Sequence, residues 1–216
     1  FRAKEVLISS FSIERPLVFG NNDTPGVILS SAAKEYLKVY GVLVGKKPLI
    51  FTNNDSGYET AIEFKKNGID PIILDTRKDP QSEIVDEAKK LDIQIKFSYV
   101  VVAAKGYKKV KSAEVAKISD DKNELGTLET INCDCICVSG FWTPTIHLAS
   151  QSGNKTTFNK DIDAFVPGLS KQNETTLGAA NGTFTLEETL KNSFESGYEL
   201  SKKITNNDNK TSSPIV

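Results

Sequence analysis

The chain lacks methionine altogether, has one histidine (His147) and one tryptophan (Trp142), and holds only three cysteines, Cys133, Cys135 and Cys137. Each scarcity excludes something. A lone histidine with no acid–base partner at a recognisable spacing reads as a polar or packing residue rather than a catalyst. There is no G-x-S-x-G elbow and no paired-carboxylate pattern, so hydrolase chemistry of those kinds has no foothold. Three cysteines are odd in number and too close together for a disulfide framework. Their alternate spacing also lacks the C-x2-C pattern of zinc sites. On a strand, alternation places all three on one face as core thiols, and reduced thiols suit a cytoplasmic protein. No apolar run approaches the roughly 18 residues of a membrane span, and no signal-like segment is visible. Net charge is −1 with the signs well mixed. With no basic stripe interleaved with aromatics, neither nucleic acid nor membrane is expected as a partner. A chain that opens at Phe1 without methionine is expected to be a piece of a longer polypeptide.

What is present is enough apolar residue, 38% of 216, to bury a core in one large domain or two small ones. The most informative stretch runs from Lys47 to Arg77. Pro48 to Phe51 reads as a buried parallel strand, Ser56 to Asn67 as a helix closed by Gly68, and Ile72 to Leu74 as a second strand. That strand ends in Asp75, about 20 residues past the turn, where an acidic side chain can hold a ribose hydroxyl. The layout is that of a dinucleotide-binding βαβ unit without its glycines. Set against G-x-G-x-x-G, the three glycine positions are Asn53, Asp55 and Tyr58. Asp55 places negative charge where a diphosphate belongs, and Tyr58 fills a gap meant for close helix–strand packing. Asp75 therefore reads either as a ribose ligand or as an ordinary strand-ending acid. Arg77 reads either as a 2′-phosphate ligand or as a surface charge.

Elsewhere the helical and extended signals alternate. Ala3 to Ser9 is a strand candidate, followed by a loop in which Pro16 and Pro25 exclude a regular element. Ser30 or Ser31 can cap a helix through Tyr40 that Gly41 stops. A short helix is expected over Gln81 to Lys90. Strand-like runs over Ile93–Ser98, Tyr99–Ala104 and Lys109–Ile118 suggest an antiparallel meander with a solvated face. Leu128–Ile131 and the apolar run Cys133–Val138 come next, and a last helix covers about Thr185 to Ile204. Trp142, in the loop GFWTP, suits either the core or a subunit interface.

This order places the chain, as an expectation, in the α/β class. It calls for a Rossmann-like three-layer dinucleotide-binding-type domain with a β-meander, of the disulfide-reductase flavoprotein type. A closer resemblance is carried by AKEVLISSFSIERPLVFGNNDTPGV, GKKPLIFTNNDSGYETA, CDCICVSGFWTPTIHLASQSG and GAANGTFTLEETLKNSFESG. Together these are similar to the middle region of the alpha subunit of heterotetrameric sarcosine oxidases.

The resemblance implies a place in an oxidoreductase complex that oxidatively demethylates sarcosine, with NAD bound by the parent alpha subunit and flavins and folate held elsewhere. Partners would be the other alpha-subunit domains and the other subunits, with homodimerisation of this piece alone as a further expectation. It further implies that residues 42–139 form an inserted NAD(P)-binding-like domain, and that 1–41 with 140–204 form the remnant of a first dinucleotide domain. Residues 205–216 would be a tail. In such flavoproteins two short turns approach the cofactor. They correspond here to Ser9-Ser10-Phe11, where Phe11 replaces a glycine, and to Ser139-Gly140-Phe141. A third approach falls at Asn181, Gly182 and Thr183, just before the last helix, whose N-terminus favours phosphate. Ser9, Ser10, Asn181, Gly182 and Thr183 are thus the candidate cofactor-binding residues, although GAANGT also reads simply as a capped turn. Two other functions stay open: an independent nucleotide-binding module, and a non-enzymatic interaction scaffold whose old pocket is filled by Tyr58.

Overall fold

A computed structural model describes residues 2–119 and 124–205. They form two compact units, one spanning Glu14–Phe141 and the other joining residues 2–13 to those from Trp142 onward.

The Glu14–Phe141 unit is built on five parallel strands in the order Val27–Leu29, Cys135–Ser139, Pro48–Thr52, Ile72–Asp75, Gln94–Phe97. Pro48–Thr52 and Cys135–Ser139 are buried at every position because central parallel strands are covered on both faces. Alternation then sorts the side chains. Ile50, Ile73, Cys135 and Cys137 meet helix residues such as Ala61, Phe64 and Val85, while Leu49, Phe51, Leu74 and Ile136 meet the meander through Val101, Ala113 and Val115. The expected three layers are present: helices, parallel sheet, meander. The helices are Ser30–Tyr40, Ser56–Lys66 and Glu83–Lys90. Gly41 (φ 65°) ends the first, its N–H returning to Leu37 O, and Gly68 (φ 79°) follows the second.

Three expectations change here. Residues 14–41 belong with the sheet unit rather than with the flanking segments, because Val27–Leu29 pairs with Ile136–Val138 as the sheet's outer strand. The run at 93–98 is a parallel sheet strand, not part of the meander; Ser98 (φ 57°) turns the chain out of the sheet. The meander itself is Tyr99–Lys105, Ser112–Lys117 and Glu129–Asn132, antiparallel, with a bulge between Val101 and Ala103. Cys133 does not share a face with Cys135 and Cys137. The Glu129–Asn132 strand ends before it, so it packs on the meander side while the other two face the helices.

Residues 15–26 run as a loop, as the prolines require, but Phe19 reaches the core edge-on to Phe51 at 5.9 Å. Glu14 replaces the expected serine cap of the Ser30–Tyr40 helix. Its buried carboxylate accepts hydrogen bonds from Ser31 N (2.9 Å) and Ser31 Oγ (2.6 Å).

The second unit contains a short parallel ladder of Val6–Ile8 with Glu174–Thr176 and an antiparallel hairpin of Thr156–Asn159 with Ala164–Pro167. The helix Leu186–Thr205 has no buried residue, and Val6 and Leu7 are nearly half exposed, so apolar surface is open here. Thr205 closes that helix, and the rest of the tail expected over 205–216 lies outside the described residues. No helix among the described residues is long and apolar enough to cross a membrane.

Candidate functional site

The turn after Pro48–Thr52 is where a dinucleotide fold receives a pyrophosphate. Here it is closed on itself. Thr52 Oγ1 donates to Asn54 O (2.8 Å) and accepts from Asn54 N (3.1 Å). Buried Asn54 turns its Oδ1 to Ser56 N (2.9 Å) and its Nδ2 to Ser139 O (3.1 Å). A free amide at the helix start, which an anion needs, is therefore taken by a side chain of the same turn.

The structure also shifts the glycine frame by one residue. A Cβ on Gly57 would lie 2.6 Å from Thr52 Cβ, so Gly57 is the position of closest helix–strand approach. The positions to compare with the fingerprint are Thr52, Asn54 and Gly57, not Asn53, Asp55 and Tyr58. The packing glycine survives, and the two phosphate-facing glycines are a threonine and an asparagine. The strand runs one residue further than the sequence reading has it, to Thr52, and counting from that residue gives this frame.

Tyr58, freed from that role, points at the end of the next strand. It is fully buried and donates from its hydroxyl to Asp75 Oδ2 at 2.7 Å. Asp75 is itself fully buried and both its oxygens are engaged. Oδ1 accepts from Arg77 N (2.9 Å) and Nε (3.1 Å), and Oδ2 accepts from Arg77 Nη2 (2.8 Å). Arg77 continues to Asp55 Oδ1 through Nη1 (2.8 Å) and lies over the Tyr58 ring at 5.9 Å. The carboxylate that suits a ribose is thus held by the chain's own guanidinium and phenol. Burial opposes the charge on Arg77, but the hydrogen bonds and charges of Asp75 and Asp55 outweigh it, and Arg77 stays protonated. Arg77 is therefore not the plain surface charge of one sequence reading, since both Asp75 and Asp55 hold it.

Burial first, then the hydrogen bond to Asp75, raises the Tyr58 pKa well above the ordinary tyrosine range. The native state thus keeps Tyr58 neutral, and the associated stability is whole below the unfolded pKa of about 10 and falls as pH rises beyond it. Stability of the native chain should therefore decline above about pH 10, by up to about 1.4 kcal/mol per pH unit from this group. Tyr58→Phe should show a shallower decline, read from urea midpoints at each pH. Parallel declines in both proteins would refute this.

The candidate residues of the flanking unit sit at one end of its parallel ladder. Val6–Ile8 and Glu174–Thr176 run side by side, and Leu177 N donates to Ile8 O (2.8 Å), so both chains leave at the same edge. Ser9-Ser10 follows one strand and the turn Gly178–Asn181 follows the other. The carboxyl ends of parallel strands are where α/β folds hold ligands. Ser10 Oγ donates to Thr145 O (2.9 Å), and Phe11 adopts φ 63°, the backbone region in which a glycine would be unstrained. Gly182 (φ 82°) ends the turn with its N–H on Ala179 O (3.1 Å), and Thr183 N reaches Gly178 O (3.1 Å). Gly140 is where the chain passes closest to Arg15: its N–H donates to Arg15 O (2.7 Å), and a Cβ there would meet that oxygen at 2.8 Å.

His147 is exposed at the start of a five-residue helix, and Trp142 is half-buried. The three thiols are free and buried. Burial pushes Cys133 up to about 12, and the contact with Cys135, together with burial, raises Cys137.

Comparison with known proteins bears on the relatives and the fold. No family model matches the chain. In sequence it is 37% identical over 183 residues, 84% of its length, to the sarcosine oxidase alpha subunit of Rhizobium meliloti (strain 1021). It is 32% identical over 88% of its length to that of Corynebacterium sp. (strain P-1). It spans about a fifth of the length of these relatives, 17% and 20% respectively. Among solved structures it is similar to thioredoxin reductase of T. acidophilum, with TM-score 0.67 and 18% identity, over 85% of this chain and 60% of that one. It is also similar to the flavoprotein disulfide reductase RclA of Escherichia coli, with TM-score 0.66 and 13% identity, over 94% of this chain and 44% of that one. The fold is therefore that of the FAD/NAD(P)-binding disulfide reductases, and the resemblance to sarcosine oxidase alpha subunits extends over most of the chain.

Proposed function

We infer that this chain, kin in sequence to one segment of the sarcosine oxidase alpha subunit, serves as a non-catalytic segment of an oxidoreductase of that type. The observation that carries the reading is the closed site. Asp75, Arg77 and Tyr58 bond to one another where a dinucleotide would lie, and Asn54 caps the turn. The Glu14–Phe141 unit thus keeps the dinucleotide architecture as a spacer and docking body. NAD, in this reading, is bound by the longer polypeptide, with Ser9, Ser10, Asn181, Gly182 and Thr183 supplying one wall of its site. Oxidative demethylation of sarcosine, flavin and folate belong to other domains and subunits, in the cytoplasm, and this chain alone is inactive. A second reading, a pure interaction scaffold, is favoured by the same buried Tyr58. An independent nucleotide-binding module is disfavoured by it.

Isothermal titration of NAD and of NADP into the chain tests this, and no heat is expected for either. Micromolar binding of either ligand would overturn the reading. In the longer polypeptide, Gly182→Val should weaken NAD retention at least about tenfold by filling the turn beside Ile162 and Val166, since an added Cβ would lie 2.9–3.0 Å from them. Unchanged retention there would leave the scaffold reading.

A further inference from the structure

The edge of the parallel sheet at which its central strands begin, at the other end from the closed turn, carries a feature that the overall charge balance conceals. The meander's first hairpin has the tip Lys105-Gly106-Tyr107-Lys108-Lys109, with Lys111 just beyond. Lys111 N closes it on Lys105 O (2.8 Å), and Gly106 (φ 152°) holds its shape, since a Cβ there would strike Lys109 O. Tyr107 is 92% exposed at the tip. Val110 N donates to Pro25 O (2.9 Å) and Asp134 N to Lys47 O (3.2 Å), which brings the hairpin base beside Lys46 and Lys47, just before the Pro48–Thr52 strand begins. An open cleft of about 480 Å³ lies between them, lined by Gly26, Leu43, Lys46, Lys109 and Asp134 among others.

Five lysines (46, 47, 108, 109 and 111) are exposed around this edge, and none of them is in an ion pair among the described residues. Lys105 is already paired with Glu114 (2.9 Å). The one carboxylate in the cleft, Asp134, is turned inward to Lys46 N and Lys47 N, at 2.8 Å each. Apolar surface adjoins the lysines: Tyr40 (66% exposed), Val42 (48%) and Leu43 (42%) lead from the end of the Ser30–Tyr40 helix into the cleft wall.

We propose that this edge is a docking surface for an acidic polypeptide segment carrying apolar anchors. The anchors would seat on Tyr107 and on the Tyr40–Leu43 strip, and the carboxylates would face the lysines. Exposed aromatics beside apolar residues supply contact area, and same-sign charges around them steer and select a partner of opposite sign. A protein segment fits better than nucleic acid because the chain as a whole is slightly acidic, with net charge −1, and the lysines share their surface with aliphatic side chains. The surface lies away from the closed turn, so it stands whether or not that site binds NAD.

The test is fluorescence anisotropy with a labelled peptide of alternating glutamate and leucine, its glutamine counterpart, a single-stranded oligonucleotide and phosphatidylserine vesicles. The glutamate peptide should bind, more weakly as salt rises. Lys108→Glu/Lys109→Glu should weaken it at least about tenfold, and Tyr107→Ala should weaken it while preserving its salt dependence. Lys89→Glu/Lys90→Glu, on the Glu83–Lys90 helix, should leave it unchanged. Absence of peptide binding, equal binding of the glutamine peptide, indifference to the hairpin changes, or stronger binding of oligonucleotide or vesicle would each overturn the proposal.

Discussion

Arg77→Leu should destabilise the chain by roughly 3 kcal/mol, the lower end of what breaking a buried charge pair costs. The lower end applies because about a third of the Arg77 side chain, 31%, still meets solvent while Asp75 is fully buried. The loss comes from the carboxylate left behind. Asp75 would keep the Tyr58 hydroxyl and the backbone N–H of residue 77 but lose every bond from the guanidinium. Removing the charge should restore much of the loss. Asp75→Asn on the Arg77→Leu background should recover more than 1 kcal/mol, although Asp75→Asn alone destabilises. Such opposite signs are the mark of direct coupling. Urea midpoints with an unchanged slope provide the measurement. A loss below 1 kcal/mol for Arg77→Leu, or strict additivity, would mean that the pair is a surface contact and that the site is not locked.

Gly57→Ala should destabilise by about 1–3 kcal/mol, although glycine to alanine inside a helix normally stabilises by up to about 1 kcal/mol. The steric effect wins because the new Cβ lies 2.6 Å from Thr52 Cβ and 2.7 Å from its Oγ1, next to the backbone of a buried strand that cannot swing away. Thr52→Gly should rescue Gly57→Ala in part. The clash disappears, while the Thr52 bonds to Asn54 that shape the turn are also lost. Thermal midpoints of the two single variants and the double variant decide this. A stabilising Gly57→Ala, or no rescue, would show that the helix sits further from the strand than 2.6 Å implies. The same double variant tests whether an opened turn admits NAD, since it restores a glycine to the first fingerprint position.

The two predictions mark where sequence reading reached its limit. Glycine counting found that the fingerprint was broken, yet it placed the frame on Asn53 because strand ends are uncertain by a residue or more. Only the strand terminus at Thr52 and its contact with Gly57 set the frame. Tyr58 was expected to fill the helix–strand gap, and it is instead buried with its hydroxyl on Asp75. The link from Arg77 to Asp55 spans 22 residues and depends on how two loops leave adjacent strands. No local pattern encodes it.

By itself the sequence determined the class and order of the elements in the nucleotide-type unit. Continuous apolar runs require strands covered on both faces, and Gly41 and Gly68 stop helices by backbone freedom alone. These are short-range effects, complete within a few residues. Tertiary structure decided the rest. It moved residues 14–41 into the sheet unit and the 93–98 run into the parallel sheet, and it set Cys133 apart from its neighbours. It also closed the turn after the Pro48–Thr52 strand with the chain's own side chains and gathered Lys46, Lys47 and the Tyr107 hairpin on one edge. Those outcomes rest on strand pairing and on contacts between residues far apart in the chain, whose energies depend on the assembled fold and not on any single stretch of it.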